Sequence, residues 1–299
     1  MRNVNTFRAN LTMLVSVLLM IFGGVILEIV PKSLQNVAPH YLFILLPCII
    51  YAITTKRGFK ESLRLNKISL KSILILVGIS LVMKPFLGLI STIAAELFGT
   101  AVVDSIEQSS SNMSLFMLFF SIAITPAICE EALLRGVIMD GYRNVNYKKM
   151  ILLNGLLFGL FHMNLQQFAY TFFMGIILAY AVYITNSLYA GILIHLINNG
   201  TSALIMYYSR NVSKVAEEAG GSGLIITLAI MAVISIVLTL LLFRALKKDN
   251  FYSRSEVHEE VLEESVVNWP FILIIIISSI VTILITIYSI LARAFKIGS

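Results

Sequence analysis

Three short groups of polar residues interrupt apolar runs in this chain, and they are the residues that can do chemistry. The first is Cys129-Glu130-Glu131-Ala132-Leu133-Leu134-Arg135-Gly136. The second is Phe158-Gly159-Leu160-Phe161-His162, and the third is His195-Leu196-Ile197-Asn198-Asn199. A charge near the bilayer centre costs at least ~2.5–3.5 kcal/mol on insertion scales. Glu130, Glu131 and Arg135 therefore need partners or water. Glu131 and Arg135 are four residues apart, so they share a helix face with the acid on the favourable N-terminal side. Glu130 is rotated by about 100° from Glu131 and is left as the spare acid. The same four-residue spacing puts His195 with Asn199 on one face, and Phe158 with His162 on another.

A carboxylate held in a low dielectric is a strong base when ionised. Beside an imidazole it can hold a water and take its proton. A second imidazole and an amide can donate to a developing oxyanion. Together these groups would hydrolyse an amide bond with activated water. Two histidines and a glutamate can equally hold a zinc ion with an open position, and the sequence alone does not separate the two. Taken singly, each group has a plainer reading. A lone intramembrane histidine or asparagine is ordinary interhelical glue. A Glu131–Arg135 pair can be purely structural, Phe158 can be core packing, and Pro126 can simply kink its helix. The combination at compatible depths is what points to catalysis.

These residues are positioned by membrane helices. The chain has 299 residues, 58% hydrophobic and 13% charged, against about 25% charged in a soluble domain. The expected fold is an all-α polytopic integral membrane protein with about 8–9 transmembrane helices around a catalytic helical core. Apolar runs fall at about 11–30, 40–55, 71–97, 114–139, 149–163, 167–186, 188–208, 222–246 and 270–292. Lys84-Pro85 should kink the third. The basic stretches Lys56–Lys67, Arg143–Lys149 and Arg244–Arg254 alternate with loops at 98–113 and 163–166 that hold no Lys or Arg. That bias favours a cytoplasmic N-terminus. It also assigns the net charge of +6 to topology, with no nucleic-acid partner expected. Cys48 and Cys129 are too few for a disulfide framework or a cysteine zinc site. At ~1.5 Å per residue, Glu130 lies about 13 Å from the cytoplasmic end of its span. On the same rise His195 lies about 10 Å deep, Asn199 about 16 Å and His162 about 20 Å. Three helices can thus aim at one place.

Glu130-Glu131-x-x-x-Arg135, Phe158-x-x-x-His162 and His195-x-x-x-Asn199 resemble, in order and spacing, the three motifs of the CAAX-protease and bacteriocin-processing (CPBP or Abi) family. These are intramembrane endopeptidases related to the type II CAAX prenyl endopeptidase. The resemblance covers roughly residues 114–208, flanked by transmembrane helices in 1–113 and 209–299. It implies that Glu130 and His162 activate water, that His195 and Asn199 form the oxyanion site, and that Glu131 and Arg135 hold the first motif in place. It implies a CAAX-type endopeptidase acting on a membrane-associated or lipidated peptide or protein, in the lipid bilayer of a bacterial cell membrane. The family is often labelled metalloprotease; no cofactor is expected to be required, with zinc the alternative. Two further classes compete. One is a proton- or ion-coupled transporter using Glu130, Lys84 and the histidines. The other is a non-catalytic immunity or scaffold protein that keeps the motifs for stability.

Overall fold

The computed structural model describes residues 4–210, 222–250 and 264–297. Arg254, the end of the third basic stretch, lies outside the described residues. Nine helices of 15 residues or more are found among those described: α1 (Val4–Phe22), α2 (His40–Thr54), α3 (Leu70–Phe98), α4 (Leu115–Gly141), α5 (Tyr147–Phe161), α6 (Leu165–Thr185), α7 (Leu188–Ser209), α8 (Ser222–Asp249) and α9 (Trp269–Ile297). Seven of them are long and apolar enough to cross a membrane; α2 and α5 are shorter. At 1.5 Å per residue, 15 residues span about 22 Å, less than the ~30 Å hydrocarbon core. The described residues contain no strand. The chain is an all-α, polytopic integral membrane protein.

Helix starts follow from local side chains. Ser69, Ser114, Asn146 and Asn164 each accept a hydrogen bond from a backbone N–H of the first turn of α3, α4, α5 and α6, the usual remedy for unpaired N-terminal donors. Asn186, at φ +47°, ends α6 in the left-handed region that asparagine tolerates. The first helix differs from expectation: it runs over 4–22 rather than 11–30. Gly23 and Gly24 follow at once, and Pro31 and Pro39 punctuate the link to α2. Lys84-Pro85 interrupts α3 at Met83, as proline should.

The central element is α4. Two-thirds (67%) of its apolar window is buried, against 22% for α8 and α9. It contains two π-helical stretches, Phe120–Ile124 and Ala132–Ile138, and α2 opens with a third, His40–Leu45. Such wide turns commonly occur at functional sites.

Hydrogen bonds gather the basic loops at one end. Arg8 reaches Thr54, Asn66 reaches the Asn186 carbonyl, Ser69 reaches Asp249, and Asn144 reaches Glu264. The Lys/Arg bias marks this end as cytoplasmic. Arg64, expected only as a topology signal, is instead a clamp. Its guanidinium donates to the carbonyls of Arg135 (3.2 Å) and Met139 (2.9 Å), in and just past the second π stretch. Its own carbonyl accepts from the Leu188 N–H at the start of α7. One residue therefore ties the end of the helix carrying Glu130 to the start of the helix carrying His195. Burial pulls the Arg64 guanidinium below its ordinary pKa, and the Asp140 carboxylate opposes that shift.

Candidate active site

Glu131 lies at the centre of a closed polar knot. Its Oε1 accepts from Arg135 Nη1 at 2.8 Å and faces His195 Nδ1 at 2.9 Å. Both Glu131 and Arg135 have fully buried side chains. The second Arg135 nitrogen donates to the Gly175 carbonyl on α6 at 3.1 Å. The guanidinium also lies 4.6 Å over the Phe158 ring, a cation–π contact strengthened by desolvation. Phe158 in turn meets His162 and His195 edge-on, at 4.9 and 5.8 Å between centroids. Phe158 is thus core packing that touches the first, second and third motifs.

Glu130 points elsewhere and is held loosely. It is 7% exposed. Its Oε2 is 3.9 Å from His195 Nε2, and its Oε1 is 3.7 Å from His40 Nε2. His162 also faces it electrostatically. At these separations no hydrogen bond is formed, whereas Glu131 Oε1 accepts two, at 2.8 and 2.9 Å.

The two motif histidines have fixed orientations. His162 follows the last turn of α5, and its Nδ1 sits 2.9 Å from the Phe158 carbonyl. That carbonyl is an acceptor, so the ring carries its proton on Nδ1 and keeps a lone pair on Nε2. Asn164 secures the same turn by donating to the His162 carbonyl at 2.8 Å. Met163, at φ +53°, lies in a backbone region rarely used by such residues. His195 directs Nδ1–H to the Glu131 carboxylate, which leaves Nε2 as an acceptor for Asn199 Nδ2 at 3.1 Å.

Asn199 also donates to the Ile122 carbonyl at 3.1 Å. That carbonyl is four residues before Pro126, which has no N–H to return an intrahelical bond. The proline, read above as a kink, frees an acceptor on α4, and the third motif binds it. Glu130, His195 and Asn199 are therefore brought together directly, with His162 facing Glu130 from α5. Asn198, on the next position, donates to the Tyr170 hydroxyl.

Three contributors were not legible as site residues. His40 starts an apolar run immediately after Pro39, so it reads as a flanking polar residue. Gly191 is four residues before His195, on the same face. A Cβ there would press into the Glu131 carboxylate, so only glycine lets α7 approach. Gly175 presents its carbonyl to Arg135 and packs against Gly155, whose Cα lies 2.8 Å from where a Cβ would stand. The spacing Gly191-x-x-x-His195 was the available signal for the second of these.

Among the described residues, no three His, Cys, Asp or Glu side chains converge as a set that could hold a metal ion. Two clefts lie away from the motif residues. One, of about 500 Å³, opens at the basic end between Arg57, Lys60, Arg64, Asp140 and Asn186. The other, of about 310 Å³, runs between α1 and α2. His162 and Asn199 are the partly exposed members of the site.

No curated protein and no solved structure matches the chain. Residues 112–201, which hold all three motifs, match the family model described as type II CAAX prenyl endopeptidase Rce1-like, and this supports a CAAX-type peptidase at the level of the family.

Proposed function

We propose that this protein is an intramembrane endopeptidase that hydrolyses a peptide bond in a membrane-associated or lipidated substrate. The observation that carries the reading is the contrast within one dipeptide. Glu131 is bonded to Arg135 and His195 through Oε1, while Glu130 faces the imidazoles of the second and third motifs without a hydrogen bond to either. A water between Glu130 and His162 would donate one hydrogen to the carboxylate and the other to His162 Nε2. The Glu130 carboxylate takes its proton as the water oxygen bonds to the scissile carbonyl carbon. The carbonyl electron pair moves onto oxygen. One Asn199 N–H turns from the Ile122 carbonyl to that oxyanion, while the other stays on His195 Nε2, whose ring Glu131 anchors through Nδ1–H. Collapse breaks the carbon–nitrogen bond, and Glu130 returns its proton to the leaving amine. Every step is made by side chains of the segment 114–208, the proposed catalytic core, and none requires a metal.

The test is cleavage of a quenched, lipidated membrane peptide by purified protein in liposomes. Glu130→Ala and His162→Ala, shown to be folded, should abolish cleavage. A Glu130→Ala variant that cleaves as wild type does would refute the assignment. Glu130-dependent ion flux without cleavage would support the transporter instead.

A further inference from the structure

His40 lies outside the segment that matches the family model, on the short helix α2, yet it reaches the same carboxylate. We propose that His40 is an additional positioning residue for Glu130, so that the active site is completed from outside the three-motif core. This rests on the endopeptidase reading above.

The geometry divides the two Glu130 oxygens. Oε1 faces His40 Nε2 at 3.7 Å, and Oε2 faces His195 Nε2 at 3.9 Å. His40 Nδ1 is buried and has no hydrogen-bond partner. A buried polar nitrogen without a partner is costly. The imidazole therefore gains its polar interaction through Nε2, on the Glu130 side.

The register of α2 against α4 makes this contact a designed one. The helices run in the same direction, and two further contacts pin them. Tyr51 donates to Asp140 Oδ2 at 2.8 Å near the cytoplasmic end, and Tyr41 OH lies 3.4 Å from Thr125 Oγ1. Tyr51 and His40 are eleven residues apart, and Asp140 and Glu130 are ten apart. Two parallel helices held at Tyr51–Asp140 thus bring His40 opposite Glu130. The π-helical opening of α2, next to Pro39, sets the angle of the ring.

His40 acts by holding Oε1. Its Nε2–H donates to that oxygen as the site tightens around substrate, since such contacts are often long before substrate binds. Oε2, which faces His195, is then the oxygen that takes the water proton. Other groups also face Glu130: His195 on α7, His162 beyond α5, Tyr170 on α6, and Cys129 and Arg135 on α4 itself. His40 is the group contributed by α2.

Two readouts test this. In the peptide-cleavage assay, His40→Ala should lower kcat about 10- to 100-fold, the scale of a misplaced catalytic group, with KM changed less than about twofold. His40→Gln, which keeps an N–H near the place of Nε2, should recover most of the rate. Independently of activity, ¹⁵N-histidine spectra in nanodiscs should show the His40 ring resonances moving when Glu130 is replaced by Gln. A folded His40→Ala variant with wild-type kcat overturns the positioning role. A His40 resonance indifferent to Glu130→Gln overturns the contact itself. If wild type cleaves no peptide, the endopeptidase reading fails, and with it the positioning role. The spectra then still decide whether His40 and Glu130 are coupled.

Discussion

The two faces of α4 present adjacent carboxylates in opposite states. On one face Glu131 is fully buried, accepts two charge-assisted contacts at 2.8 and 2.9 Å, and shares Arg135 with Gly175 and Phe158. On the other, Glu130 stands 3.7 and 3.9 Å from two imidazoles, with the partly exposed His162 facing it. A buried charge held in an ion pair cannot lose its partner without a large cost. A carboxylate with no hydrogen bond in place can accept a water and a proton. Under the proposed function, the difference is a division of labour in which Glu131 fixes the helices and Glu130 is kept available for chemistry.

That comparison can be broken from either side. The largest effect on stability belongs to Glu131→Ala. Removing one partner of a buried ion pair costs about 3–5 kcal/mol, so the melting temperature in nanodiscs should drop well below that of wild type. Cleavage should fall with it, because His195 loses its anchor. Gly191→Ala is the next test. The new methyl group meets the Glu131 carboxylate, and overpacking of this kind costs about 1–3 kcal/mol, readable by the same melt. A Gly191→Ala protein as stable as wild type would mean that α7 does not need its close approach. Leu241→Ala, on the lipid-facing side of α8 and half exposed, should change stability by less than about 0.5 kcal/mol and leave cleavage unchanged. An equal loss there would erase the contrast between the inner helices and the outer pair.

Much of this architecture is legible before any coordinates. The apolar runs and the basic loops specify the nine helices and their alternation, because length, hydropathy and charge bias act locally. Glu131 with Arg135, and His195 with Asn199, are legible because four-residue spacing is a property of one helix. What spacing cannot reveal is what a second helix brings. His195 bonding to Glu131, Arg64 capping the carbonyls of α4, and His40 facing Glu130 all depend on helix register, which is set by packing rather than by sequence period. The loss of the Ile122 backbone partner was implicit in Pro126, but the side chain that claims that carbonyl, Asn199, comes from 77 residues away. The early end of α1 was missed because the apolar run continues past Gly23-Gly24 while the helix does not.

The central claim is that Glu130 works while Glu131 holds. Its most direct test is to measure peptide cleavage and the melting temperature together for Glu130→Gln, in chelator-treated liposomes. The account predicts a melt close to wild type and a rate lower by about 10²- to 10⁴-fold, the usual contribution of a general base, with the wild-type rate unaffected by chelation. A Glu130→Gln protein that retains wild-type cleavage would contradict it.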